Sequence, residues 1–133
     1  METLEKRLGF TLPSILRNIY LEVGNGGFGP GYGLLPLNNK SSGKQFAESV
    51  ISLYTDYLTG DPENPEWKWP KGMLPLCDWG DNIHSCVDCL KEPFPVYRSD
   101  AELLSDGDVE GLKIEKSSLY GWLMDMIEDR IKY

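Results

Sequence analysis

Histidine is nearly missing from this sequence. His84 is the only one, so any Ser-His-Asp or Cys-His mechanism would have to use its ring as the base. Cys86 lies two residues away, but no third group is placed by sequence to orient the imidazole. Cysteine is scarce as well: Cys77, Cys86 and Cys89 are all there are. An odd, small number argues against the disulfide framework of a secreted domain and for a reduced, cytoplasmic chain. Long apolar runs are absent too. Nothing approaches the ~20 residues that a membrane span needs, and the opening METLEKRLGFTLP has no apolar signal core. The Gly-Lys-Ser/Thr of a phosphate loop is also missing, because Gly43-Lys44 is followed by Gln45. The glycine-rich NGGFGPGYG follows a helical pattern and precedes a strand-like GLLPL, the reverse of a dinucleotide fingerprint. Phosphate binding is therefore not expected.

Basic residues are the last shortage: 13 Lys and Arg stand against 21 Asp and Glu, a net charge of -8. Its location matters more than its size. From Asp78 to Glu110 there are nine acidic residues and two basic ones, Lys91 and Arg98, so -7 of the total falls in a quarter of the chain. Such a surface repels a nucleic acid backbone. On composition alone the preferred reading is a solvated acidic face that keeps the protein soluble; the alternative is a surface for a basic protein partner, whose approach complementary charge speeds and orients. No nucleic acid and no membrane are expected as partners. The sequence leaves the oligomeric state open, with a monomer slightly favoured.

What is present is ordinary globular material: 41% hydrophobic and 26% charged residues. At 133 residues the chain is expected to form one domain, 1–133, with a core that needs no staples. Leu4 and Leu8 suggest a short first helix closed by Gly9. In TLPSILRNIYLEVG, Thr11 is placed to cap a helix near Pro13, with Leu12, Ile15, Leu16, Ile19, Tyr20 and Val23 on one face and Gly24 at its end. A second helical face runs through Phe46, Val50, Leu53, Tyr54, Tyr57 and Leu58 to Gly60. The GDPENPEWKWPKG loop is irregular. Met73–Cys77, Ile83–Cys89 and Phe94–Arg98 read as short strands, with a weaker one near Leu112–Ile114. Ser117 or Ser118 caps a last helix whose stripe is Leu119, Trp122, Leu123, Met126, Ile127 and Ile131. This order predicts an α+β fold: N-terminal helices and a C-terminal helix packed on an antiparallel sheet.

The segment LCDWGDNIHSCVDC holds every cysteine and the histidine. Its C-x-x-C lacks the glycine turn of a zinc knuckle. If Ile83 to Cys89 is a strand, Ile83, Ser85, Val87 and Cys89 face one way and His84, Cys86 and Asp88 the other, so Cys86 and Cys89 diverge. His84 and Cys86 share a face that Cys77 could join, which leaves a three-ligand site open. A redox C-x-x-C would sit at a helix N-terminus, which this one does not. The preferred reading is thiols that fill small gaps in the core. No metal, no cofactor and no enzyme activity are expected; a small thiol or zinc enzyme built on Cys77, His84, Cys86 and Cys89 is the outlying alternative.

Three segments in order carry a family likeness: LGFTLPSILRNIYLEVGNGG, LPLCDWGDNIHSCVD, and VYRSD followed by SSLYGWLMDMI. Together they resemble the SUKH superfamily, which includes a yeast cell-wall synthesis regulator and many bacterial immunity proteins encoded beside secreted polymorphic toxins. The likeness spans roughly Leu4 to Ile131; SDAELLSDGDVEGLK is its least typical part. It implies an α+β binding module that occupies a cognate toxin domain, often a nuclease or deaminase, in the cytoplasm. It supplies no catalytic motif. A regulatory or scaffolding module without a toxin is the alternative. The acidic segment then becomes the expected contact surface: Asp78, Trp79, Asp81, His84 and Asp88, extended by Asp100, Glu102, Asp106 and Asp108. Trp79 enters because it sits in the DWGDN turn, and tryptophan is enriched at interface hot spots; its ring could equally fold back over the sheet. Trp67 and Trp69 carry the same ambiguity.

Overall fold

A computed structural model describes residues 5–6, 8–23, 34–35, 49–60, 62–65, 67–107 and 111–128. Helix α1 spans Ser14–Asn18 and continues as a π-helical turn over Ile19–Val23. Helix α2 is Val50–Thr59. Strands β1 (Met73–Gly80), β2 (Ile83–Asp88) and β3 (Val96–Asp100) follow. A five-residue helix α3 (Ala101–Ser105), strand β4 (Leu112–Lys116) and helix α4 (Leu119–Ile127) complete the described elements. The four strands form one antiparallel sheet in the order β1-β2-β3-β4. The α+β expectation holds.

The helical stripes bury as their spacing requires. Leu12, Leu16 and Tyr20, four residues apart, are all in the core, and the Tyr20 hydroxyl donates to the Leu35 carbonyl at 2.7 Å. Leu34 bridges Cys77 and the Leu35 N–H donates to Leu76, so this short segment lies along the free edge of β1. Thr11 does not cap α1. Pro13 occupies that position without a side-chain bond, and the Leu12 N–H donates to the Glu5 carboxylate, which also pairs with Arg17 at 2.8 Å. Helix α2 has a capping box that sequence inspection overlooked: Ser49 accepts from the Ser52 N–H, and the Ser49 N–H donates to Ser52 Oγ. Gly60 ends it with φ of 70°. Leu58, expected on the apolar face, is exposed, and Ile51 is buried instead. Ser118, not Ser117, caps α4. Phe46, Gly24 and the NGGFGPGYG loop lie outside the described residues.

Strand register fixes which side chains meet. His84 and Cys86 stand opposite Ser99 and Tyr97, while Ser85 and Val87 stand opposite Arg98 and Val96. Antiparallel partners share a face, so the sheet has a His84 face and a Ser85 face. Tyr57 of α2 packs edge-on against His84 at 6.1 Å. Trp122 of α4 donates to Glu115, which in turn accepts from Ser85. Helices therefore cover both faces, and Leu74, Val87, Val96 and Trp122 are fully buried between the layers.

Candidate partner-binding site

The acidic segment is organised by the β1–β2 turn. Asp81 and Asn82 take positive φ of 52° and 62°, the pair of left-handed residues that a tight two-residue hairpin needs and that Asp and Asn tolerate. Asp78 accepts from the Gly80 N–H at 2.8 Å and stiffens the approach to the turn. The Asn82 carbonyl accepts from the Ala101 N–H at 3.1 Å, which pins the turn to the start of α3. Asp100 caps α3 by accepting from the Glu102 N–H at 3.0 Å. Asp78, Asp81, Asp100, Glu102 and Asp106 thus gather at one end of the sheet. Asp81, Glu102 and Asp106 are exposed; Asp78 and Asp100 are half-buried.

Asp88 does not join them. It ends β2 at the far end of a six-residue strand, opposite Met73, some ~17 Å along the chain from Ile83. Its carboxylate caps the next turn through the Leu90 N–H at 3.1 Å. Asp108 lies outside the described residues.

Trp79 and His84 require a correction, because neither is on the surface. Trp79 is 8% exposed and belongs to β1, where the register skips it between Asp78 and Gly80. Such a bulge re-aims a side chain. The indole N–H donates to Ser85 Oγ at 2.8 Å, and the Arg98 guanidinium lies 4.4 Å from the ring centre. The ring is a structural element of the Ser85 face. His84 is 4% exposed, and burial holds its pKa below the ordinary value although Asp78 opposes the shift. Trp69 is buried and Trp67 half-buried: their rings stack at 6.1 Å, and the indole N–H groups of Trp67 and Trp69 donate to the Tyr57 and Met73 carbonyls, respectively.

The cysteines are buried, and none of them forms a disulfide. Burial pushes the Cys77 thiol up to about 12, helped by Glu115 and Asp78, and pushes Cys86 up to about 12 as well; Cys89 is also raised by burial. Cys77 stands opposite Ser85 and so does not share the face of His84 and Cys86. Among the described residues no three His, Cys, Asp or Glu side chains converge as metal ligands.

Two features escaped sequence inspection. The first is Glu115. The β3–β4 register passes over it between Ile114 and Lys116, and its carboxylate meets Ser85 (2.8 Å), Arg98 (2.9 Å) and Trp122 (3.3 Å). The second is a cleft of about 340 Å³ beside the acidic end. Leu53, Asp56 and Tyr57 of α2 with Gly60 just after it form one wall, Asn64 and Trp67 a second, and Asn82, Ala101 and Ser105 a third, with His84 contributing from the sheet. The Asn64 amide donates to the Ser105 carbonyl at 3.1 Å and ties the second wall to the third. A shallower depression continues past Asn82, Ala101 and Ser105 to Glu102 and Asp106. No lysine or arginine lines either hollow among the described residues. The elements that build the cleft lie far apart in the chain, so no local sequence signal announced it.

An α+β module with an acid-rimmed cleft at one end of its sheet is the class of protein that these observations define. The family model for SMI1 / KNR4 (SUKH-1) matches residues 1–123, and the chain belongs to that family. No curated protein and no solved structure matches it significantly. Among the described residues no helix is long and apolar enough to cross a membrane.

Proposed function

We propose that this protein is an immunity protein, which binds a cognate secreted toxin domain and neutralises it by occlusion. The toxin is of a nuclease-like or deaminase-like kind, and the encounter takes place in the cytoplasm. Membership of the SUKH-1 family is consistent with that role. The observation that carries the reading is the gathering of Asp81, Glu102 and Asp106, all exposed, around a cleft that no lysine or arginine among the described residues lines. Toxins that act on nucleic acid need a basic substrate surface, and fixed carboxylates can take the place of phosphates there. Carboxylates at an exposed rim act mainly on the rate and orientation of encounter, less on affinity.

The contact set becomes Asp78, Asp81, Asp100, Glu102 and Asp106, with Asp108 next to them in sequence. Co-expression tests the function. Cells producing the toxic C-terminal domain encoded beside this gene should survive only when this protein is present. Reversing Glu102 and Asp106 together to lysine should slow association with that domain at least about tenfold at low salt and much less at high salt. Death of the protected cells overturns the immunity reading. Equal association rates for the parent and the reversed protein overturn its electrostatic part.

A further inference from the structure

The cleft is chemically more specific than its rim. Its volume of about 340 Å³ lies at the small end of ligand cavities, which run from ~300 Å³ upward. One wall is aromatic: Tyr57 and Trp67 pack at 5.1 Å, and both line the space. Such rings attract a cation over their faces. Asp56 contributes an exposed carboxylate in the last part of α2, where the helix also presents its negative end. Burial disfavours the charged form of His84, against the pull of Asp78. Its Nδ1 is buried without a hydrogen-bonding partner.

An aromatic wall, a carboxylate and, among the described residues, no lining cation together describe a receptor for a flat cation. We propose that the cleft receives the guanidinium of an arginine side chain projecting from the basic partner surface. This rests on the immunity reading for its occupant. Arginine fits better than lysine because its planar fork donates in several directions at once and stacks on aromatic rings. The rim at Glu102 and Asp106 then draws in the basic surface, and the cleft selects one residue of it.

The test needs no toxin. Isotope-labelled protein is titrated with acetyl-arginine amide and with its neutral isostere acetyl-citrulline amide, while NMR follows the Trp67 indole N–H, the Asn82 amide and the His84 ring. The arginine derivative should produce saturable shifts confined to those groups at millimolar concentration, with citrulline at least about tenfold weaker. Asp56→Asn, at an exposed helix position that leaves the fold intact, should weaken arginine about threefold to tenfold and leave citrulline unchanged. Equal responses to the two ligands, shifts elsewhere, or no response up to about 100 mM would overturn the proposal. An arginine-blind cleft in a protein that still protects cells would remove this inference alone. Arginine binding in a protein that protects against nothing would remove the immunity reading alone.

Discussion

Removing the Glu115 carboxylate should be among the most damaging single changes in the described structure. Glu115 is 17% exposed and Arg98 25% exposed at their side chains, so the pair is mostly withdrawn from water. The same carboxylate accepts from Ser85 Oγ and the Trp122 indole, and Ser85 in turn accepts from Trp79. Three residues, on β2, β3 and α4, therefore converge on one charge, and Trp79 of β1 joins them through Ser85. Breaking a fully buried ion pair costs ~3–5 kcal/mol; the residual exposure here brings the figure down, to about 3 kcal/mol for Glu115→Ala. At roughly 3 °C per kcal/mol for a domain of this size, the melting temperature should fall by about 10 °C. Glu115→Gln keeps an acceptor and the shape, and should lose about half as much. Urea denaturation of the parent and both variants is the assay, with the slope checked for constancy. A loss below about 1 kcal/mol for Glu115→Ala would refute the reasoning, because the network would then be no stronger than a surface ion pair.

Two further outcomes follow from buried titratable groups. The pKa of His84 is held below its ordinary 6.5 in the folded chain, mainly by burial and against the nearby Asp78. The unfolded chain thus protonates first as pH falls. The contribution of this group to stability is complete above about pH 6.5, and lost progressively below it at up to about 1.4 kcal/mol per pH unit. Urea midpoints at about pH 7.5 and about pH 5.5 should diverge in the parent and much less in His84→Asn; equal divergence would sink the assignment. The thiols of Cys77 and Cys86, pushed up to about 12, and of the buried Cys89 should resist a thiol reagent in the native protein, and all three should react once it is unfolded. Fast labelling of the native chain would contradict their burial.

The sequence was most legible where one face of an element meets one neighbour. The stripe through Leu12, Leu16 and Tyr20 and the alternation of Ile83, Ser85 and Val87 against His84 and Cys86 both carry into the structure, because burial on one face writes its own period. Helix α3 stayed hidden: five residues are too few for a period, and the helix starts on the last strand residue, Asp100, which caps it. Trp79 misled because sequence places it beside a turn, whereas a bulge lengthens β1 to Gly80 and swings the ring over Ser85. Glu115 is one charge in LKIEK until the sheet and α4 close around it. Of the acidic set, Asp78, Asp81, Asp100, Glu102 and Asp106 belong together because the hairpin turn is pinned to α3. Asp88 is near them in sequence, but the strand carries it to the other end.

The bonds that hold the cleft walls together have a further consequence for how the protein can change. Ala101 to Asn82, Asn64 to Ser105 and Gly60 to Asp56 all end on a main-chain carbonyl. The side chains of Asp56, Asp81, Glu102 and Asp106 point to solvent and make none of them. Exchanging such exposed residues usually shifts stability by no more than about 0.5 kcal/mol. Frame and charge pattern are thus separable: the scaffold is inherited through its backbone, while its preference for one partner over another can drift by single replacements without passing through an unfolded intermediate sequence. If the immunity reading holds, a lineage facing changing toxins could rewrite the rim many times on the same four strands.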